Sequence, residues 1–352
     1  MKKVLSLVLV CLMVAALMAG CGSSDTTDPT EAPAADVASD APADVSSDGS
    51  EDEPSDSSVV YSIGIVQQLE HPALDSATEG FMDACKSLFG EENVVFDLQN
   101  GQGEQTNCAT ICNSFVAADV DLILANATTA LQCAAAATNS IPILGTSITD
   151  YATALDIADW TGATGSNISG TSDLAPIAEQ EAMLKELFPD VQKVGILYCS
   201  AEPNSAYQAK LFADALEANG IAYSEYTAAD SNEIQSVVTA AIAECDVLYI
   251  PTDNTLASNT EIINNICQPA GVPIIAGEEG ICKGCGVATL SINYYDIGYR
   301  AGEMAYDILV NGADVSTMEI EFASNVTKEY NASICEALNI AVPEDYTAIE
   351  MD

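Results

Sequence analysis

The segment Ile63 to Phe81, IGIVQQLEHPALDSATEGF, returns in worn form as Val194 to Phe212, VGILYCSAEPNSAYQAKLF. Each copy runs from a short apolar segment through a polar turn, carrying an acid (Glu70, Glu202) and a proline (Pro72, Pro203), into a helix-like stretch. The echo continues where DLILANATTA from Asp121 resembles DVLYIPTDNT from Asp246, and IPILGTS from Ile141 resembles VPIIAGEEG from Val272. A duplicated α/β unit constrains the fold more than any local motif. Two similar lobes in one chain enclose a cleft, and clefts between lobes favour small ligands.

From Val59 onward, short and nearly uninterrupted apolar runs alternate with amphipathic stretches. Strands are predicted near Tyr61–Val66, Asn93–Asp97, Leu122–Ala125, Ile141–Leu144, Lys193–Tyr198, Ala222–Tyr226, Val247–Ile250, Pro273–Ala276 and Ala288–Ser291. Helices are expected between them, among them Ala73–Leu88, Gln105–Ala117, Ala175–Leu187, Ser205–Ala218, Ile234–Ala243, Asn259–Ala270 and Tyr294–Leu309. This alternation predicts an α/β protein with parallel sheets, right-handed crossovers and helices on both faces. In the first helix, Leu74, Ala77, Phe81, Ala84, Cys85 and Leu88 share one face that should pack on a sheet. The expected organisation is two Rossmann-like lobes joined by a hinge: residues 59–169 with about 290–322, and residues 170–289 with about 323–352.

Residues 1–20 read as an export signal, with basic Lys2 and Lys3, an apolar run, and small residues before Cys21. Leu17-Met18-Ala19-Gly20-Cys21 resembles the lipobox of bacterial lipoproteins, which implies cleavage before Cys21 and a diacylglyceryl group on its thiol. Residues 22–58 hold no aromatic residue, Lys or Arg, so they should form an extended acidic tether from the lipid anchor. Subtracting the 11 acids of the tether from the chain's 53 leaves 42 from Val59 onward, against seven Lys and Arg. That balance excludes nucleic acid as a partner and leaves zwitterions, neutral molecules and cations.

Of the 12 cysteines, ten follow Cys21, and most sit inside apolar patterns as small hydrophobes. Cys282 and Cys285 in CKGC, and Cys108 with Cys112, allow a local disulfide or a thiol site; structural thiols are the preferred reading, with no metal or cofactor expected.

In parallel sheets, ligands bind beyond the carboxyl ends of the strands. The polar residues expected there are Glu70, His71, Asn126, Thr128, Thr129, Thr146, Ser147, Ser172, Asp173, Asn204, Ser205, Asp253, Asn254 and Glu278. The set is rich in hydroxyls, amides and acids, and nothing in it forms a GxSxG elbow, P-loop, GxGxxG or HExxH motif. It suits an amino acid. Thr128 and Thr129, with the backbone N–H groups opening the next helix, would hold a carboxylate, and Glu278, Asp253 or Glu70 would accept an ammonium. His71, the one histidine, would wall the pocket or accept a hydrogen bond.

EHPALD at Glu70 and PTDNT at Pro251 are the most specific pieces of a wider likeness. With NGQGEQ at Asn100, ILGTSITD at Ile143, SDLAPIAEQ at Ser172, GILYCSAEPNS at Gly195 and INYYDIGYRAGEMAYDIL at Ile292, they resemble the tryptophan/tyrosine-type substrate-binding lipoproteins of ABC importers. The resemblance spans Tyr61 to about Leu338. It implies the type I periplasmic-binding-protein fold, an aromatic amino acid as ligand, and an ABC permease and ATPase complex as partner at the extracytoplasmic face of the membrane. Thr128, Ser147 and Glu278 match strand ends that hold the ligand in more distant branched-chain amino-acid binders. Gly277-Glu278 departs from the Asp of an ASD sequence in many relatives, and CKGC is not a usual element. A subunit that senses its ligand for a membrane receptor is the alternative, and a CxxC thiol enzyme a more remote one.

Overall fold

The computed structural model describes residues 59–323 and 325–351. The expected signal segment, Cys21 and the acidic tether lie outside these residues.

Ten parallel strands form two sheets of the same design. The first sheet holds β1 (Tyr61–Gln67), β2 (Val94–Asn100), β3 (Leu122–Asn126), β4 (Ile143–Ile148) and β5 (Ile168–Ser172), in the order β5-β4-β3-β1-β2. The second holds β6 (Lys193–Cys199), β7 (Ala222–Ala228), β8 (Val247–Ile250), β9 (Ile274–Ala276) and β10 (Ala288–Ile292), in the corresponding order β10-β9-β8-β6-β7. The echo between Ile63 and Val194 is therefore an echo of topology, with β6 taking the place of β1. Three short strands finish the edges. β11 (Glu321–Phe322) runs parallel to β5, β12 (Val326–Tyr330) antiparallel to β10, and β13 (Thr347–Ala348) parallel to β12.

The helices are α1 (Pro72–Phe89), α2 (Gln105–Ala117), α3 (Thr128–Ala137), α4 (Tyr151–Ala154), α5 (Ile177–Leu187), α6 (Pro203–Ala218), α7 (Ile234–Ile242), α8 (Asn254–Ala257), α9 (Thr260–Ala270), α10 (Glu279–Cys285), α11 (Tyr294–Leu309) and α12 (Ala332–Ala337). β3, β4 and β8 are buried at every residue, because helices cover both faces of each sheet. Separate apolar cores lie on the two faces: around Phe115 and Leu131 or Phe81 and Met304 in the first lobe, and around Leu256 and Ile263 or Phe212 and Tyr249 in the second.

The chain passes between the sheets three times, after Ser172, after Ile292, and between Phe322 and Val326. The boundaries expected at 169/170 and 289/290 thus fall inside β5 and β10. β5 escapes sequence reading because ISGTS carries one large apolar residue. Its Gly170, at φ +141°, permits an approach in which a Cβ would lie 2.0 Å from the Gly145 carbonyl oxygen.

After β10 of the second sheet, α11 returns to the first lobe and packs along α1. The backbones nearly touch: a Cβ on Gly298 would lie 1.9 Å from the Ala77 carbonyl oxygen, and one on Gly80 2.2 Å from that of Tyr295. The apolar face of α1 is therefore shared between sheet and helix. Leu74, Ala77, Phe81, Ala84 and Cys85 are buried as expected, but Leu88 is 39% exposed, and Phe89 takes the last buried position.

The ten cysteines after Cys21 are all free and buried. Burial raises the Cys108 and Cys112 thiols to about 11 and about 12, and pushes Cys282 and Cys285 well above the ordinary range. Thiols held neutral in this way pack as small apolar side chains and are poor nucleophiles.

Candidate functional site

The carboxyl ends of the two sheets meet across the cleft, and hydrogen bonds join them. Before α1, His71 Nε2 lies 3.1 Å from Asn254 Oδ1 at the start of α8. From α6, Gln208 Nε2 donates to Thr149 Oγ1 of the first lobe at 3.2 Å. Thr149 donates in turn to Asp173 Oδ1, and Tyr294 at the start of α11 donates to Asp173 Oδ2, both at 3.0 Å. Asp173 therefore sits at the first crossing, held by groups from the first lobe and from the second crossing.

Each lobe organises its own strand ends. In the first, Asn126 Nδ2 donates to the Leu74 carbonyl and to Thr78 Oγ1, and Thr78 donates to Gln67 Oε1. The Leu74 carbonyl only accepts, so the Asn126 amide is fixed with Oδ1 on its other side. In the second, Glu202 is 3% exposed and receives Asn254 N and Nδ2, Thr255 N and Oγ1, and Asn204 Nδ2, at 2.7 to 3.2 Å. Asn204 Nδ2 and Ser205 Oγ also donate to the Thr252 carbonyl.

Among the described residues, a group of buried polar atoms is left without a partner. His71 Nδ1, Asn126 Oδ1, Thr128 Oγ1 and Ser147 Oγ belong to the first lobe, and Asn204 Oδ1 and Thr252 Oγ1 to the second. All follow or end the strands β1, β3, β4, β6 and β8. Backbone strain accompanies them: Ala127 has φ +87° and Ser147 φ +57°.

Two recesses run into the interface between the lobes. One of about 660 Å³ is lined by Gln68, Leu69, Thr129, Glu202 and Thr255 among others. The second, about 410 Å³, is bounded by Ala73, Ser76, Glu278, Tyr294 and Glu329. Each has the volume an amino acid needs, but neither is lined by the residues that carry the six unpartnered atoms. The acids near the second are perturbed. Burial pushes Asp173 up to about 6 against the pull of its two hydroxyl donors, and Glu278 up to about 7 against two backbone N–H donors.

Twelve of the fourteen expected site residues are buried, but several face their own lobe. Glu70 is exposed at the rim and Thr129 half-buried. The Thr129 N–H donates to Gln68 Oε1, so this end of α3 is already occupied. Asp253 accepts from Cys199 N and Leu256 N, capping α8, and burial beside Glu202 raises its pKa. Glu278 caps α10, accepting from Gly280 N and Ile281 N. Asp253 and Glu278 thus give both carboxylate oxygens to backbone N–H groups, Glu278 also lines the second recess, and Glu70 is exposed. Ser172 Oγ donates to the Thr149 carbonyl, and Thr171 Oγ1 to Thr146 Oγ1, as hinge contacts.

Gln208, Tyr294 and Gln180 escaped sequence reasoning. Gln180 Nε2 donates to the Gly277 and Leu290 carbonyls, and its Oε1 accepts from Tyr249. The available signal was a polar residue at a core-facing helical position: Thr78, Gln180 and Gln208 all break apolar helix faces and all are buried.

A family model described as "ABC transporter substrate binding protein" matches residues 62–350. A tyrosine-binding protein of Clostridioides difficile (strain R20291) is 31% identical over 341 residues, spanning 96% of this chain and 93% of its own. A Streptococcus pneumonia ABC domain in complex with L-Trp superposes with a TM-score of 0.77 at 31% identity, covering 81% of this chain and 96% of that one. The ligand-free, open structure of a Clostridium difficile substrate-binding protein with adhesive properties superposes with a TM-score of 0.64 at 34% identity, over 83% and 100% of the two chains.

Proposed function

Because the chain belongs to the ABC transporter substrate-binding protein family, we propose that it captures an aromatic amino acid between its two lobes and delivers it to the permease of an importer. The relatives that bind tyrosine and tryptophan support this ligand class. The observation that carries the reading is the set of six buried, partnerless polar atoms contributed by both lobes. A buried polar group without a partner costs about 1–3 kcal/mol. Six at one interface oppose closure unless something polar enters with them.

An amino acid supplies the matching groups. The hydroxyls of Thr128, Ser147 and Thr252 would donate to its carboxylate, and the fixed acceptors His71 Nδ1, Asn126 Oδ1 and Asn204 Oδ1 would take donors. Asp173 and Glu278 provide a negative field for an ammonium. Ligand contacts made by both lobes would favour the closed form in proportion to the difference in affinity between closed and open states.

Titration calorimetry of the full chain with the aromatic amino acids tests the reading. Saturable one-to-one heat with Tyr, Trp or Phe is expected; no heat with any amino acid sinks it. We also place the chain at the extracytoplasmic face through lipid on Cys21. Cys21→Ser should release it from the membrane fraction, and retention of the variant there would exclude that anchor.

A further inference from the structure

His71 sits on the turn between β1 and α1, 5% exposed. Its Nε2 faces Asn254 Oδ1 of the opposite lobe, and its Nδ1 has no partner among the described residues. Which ring nitrogen carries the proton is settled by chemistry two residues away. Asn254 Nδ2 lies 2.7 Å from Glu202 Oε2, which also receives the Asn254 backbone N–H at 3.0 Å. A carboxylate only accepts, so turning the amide over would press its oxygen against the carboxylate oxygen. The amide is held with Nδ2 toward Glu202 and Oδ1 toward the ring. Against an acceptor, Nε2 must carry hydrogen. A neutral imidazole has one N–H, so Nδ1 keeps a lone pair.

We propose that His71 Nδ1 accepts a hydrogen bond from the bound amino acid, with its tautomer dictated from the opposite lobe by the Glu202–Asn254 pair. The inference rests on the ligand class proposed above. Closure and ligand recognition are then linked through one ring: the open form leaves the tautomer free, and docking of Asn254 fixes it as an acceptor. Asn254 and Glu202 are positioning residues, while His71 touches the ligand. The charged groups facing the ring are Glu202, behind Asn254, and Asp75, one turn into α1. Both favour the imidazolium, but burial outweighs them and holds the ring below its usual pKa. Protonation would convert Nδ1 into a donor, so affinity should fall as pH drops through that depressed value.

His71 is the only histidine in the chain, so a protein labelled with ¹⁵N-histidine gives the spectrum of this ring alone. The full chain is titrated with L-tyrosine and L-tryptophan, and two-bond ¹H–¹⁵N correlations are recorded at neutral pH. The saturated protein should show only the Nε2–H tautomer, with the Nδ1 resonance displaced as that of a hydrogen-bond acceptor. An Nδ1–H tautomer, an imidazolium, or an unmoved Nδ1 in a saturated sample overturns the proposal. Persistence of the displacement with L-phenylalanine assigns the donor to the ammonium, and its loss there assigns it to the side chain.

Asn254→Ala should bind about tenfold more weakly, the loss of roughly one hydrogen bond, and show both tautomers when saturated. A single Nε2–H tautomer in that variant removes the role given to Asn254. Calorimetric heat without a response from the ring defeats this inference alone. No heat with any amino acid defeats the functional reading beneath it.

Discussion

Asp173→Asn isolates one buried charge at the hinge. Asp173 is 3% exposed and accepts only hydroxyl hydrogens among its side-chain partners, Thr149 and Tyr294. Burial raises its pKa from 3.8 to about 6. For a carboxyl whose folded pKa lies above its unfolded value, the folded state binds the proton more tightly. Its contribution to stability is complete below about pH 4 and is lost as pH climbs through 6. A shift of about two units at about 1.4 kcal/mol each places the loss near 3 kcal/mol at neutral pH. Asparagine has the same shape and does not titrate. Urea unfolding of both proteins from pH 4 to pH 8 gives the stability difference, which should swing by about 3 kcal/mol in favour of the variant. How well the new amide suits the two hydroxyls sets the offset of that curve, not its slope. Glu278, raised to about 7 partly by Asp173, titrates in both proteins and is relieved in the variant, which adds to the swing with the same sign. Parallel stability curves across this range would refute the argument that Asp173 is held ionised at a cost.

Two backbone predictions accompany it. Gly298→Ala sets a methyl 1.9 Å from the Ala77 carbonyl oxygen, so α1 and α11 must separate. The loss should be about 3 kcal/mol in chemical unfolding, and a change near zero would mean that the helices are not in backbone contact. Ala127 lies at φ +87° and ψ 159°, a region suited to glycine. Ala127→Gly should gain about 1 kcal/mol of stability while loosening the aim of Asn126 and Thr128, raising Tm and weakening ligand binding together. A lower Tm would show that the strain is absent.

The duplicated run of strands was legible because burial on both faces leaves little choice of residue, whereas their order within each sheet was not. Val247–Ile250 and Lys193–Tyr198 are apolar wherever they are covered, and the observed strands start at the same residues. β5 was not legible, since ISGTS is buried by close backbone approach at Gly170 rather than by large side chains. Gly80 and Gly298 let α11 approach α1 closely, and their meaning depends on which helix each one meets. Sequence periodicity marks a buried face without naming its partner, which is why Leu88 was assigned to the core and proved to be 39% exposed.

At the site, position relative to a helix start decides whether a polar side chain serves its own lobe or the cleft. Asp150, Asp253, Glu278 and Asn293 each immediately precede a helix, and each gives a side-chain oxygen to an N–H of its first turn. A capping oxygen is close to the helix at no entropic cost of reaching across a gap, so the local bond wins. Residues lacking that outlet behave otherwise. Asn126 and Ser147 lie within the last residues of β3 and β4, and His71 caps no N–H although it precedes α1. Their orphaned atoms remain for the cleft. Of the acids expected from sequence to accept an ammonium, Asp253 and Glu278 cap helices and Glu70 is exposed, so the unpartnered atoms are those of amide, imidazole and hydroxyl groups. Recognition in this chain is then a matter of fixed hydrogen-bond polarity within a negative field, and substitutions that turn an amide or a tautomer should alter ligand choice more than those that change a charge at the rim.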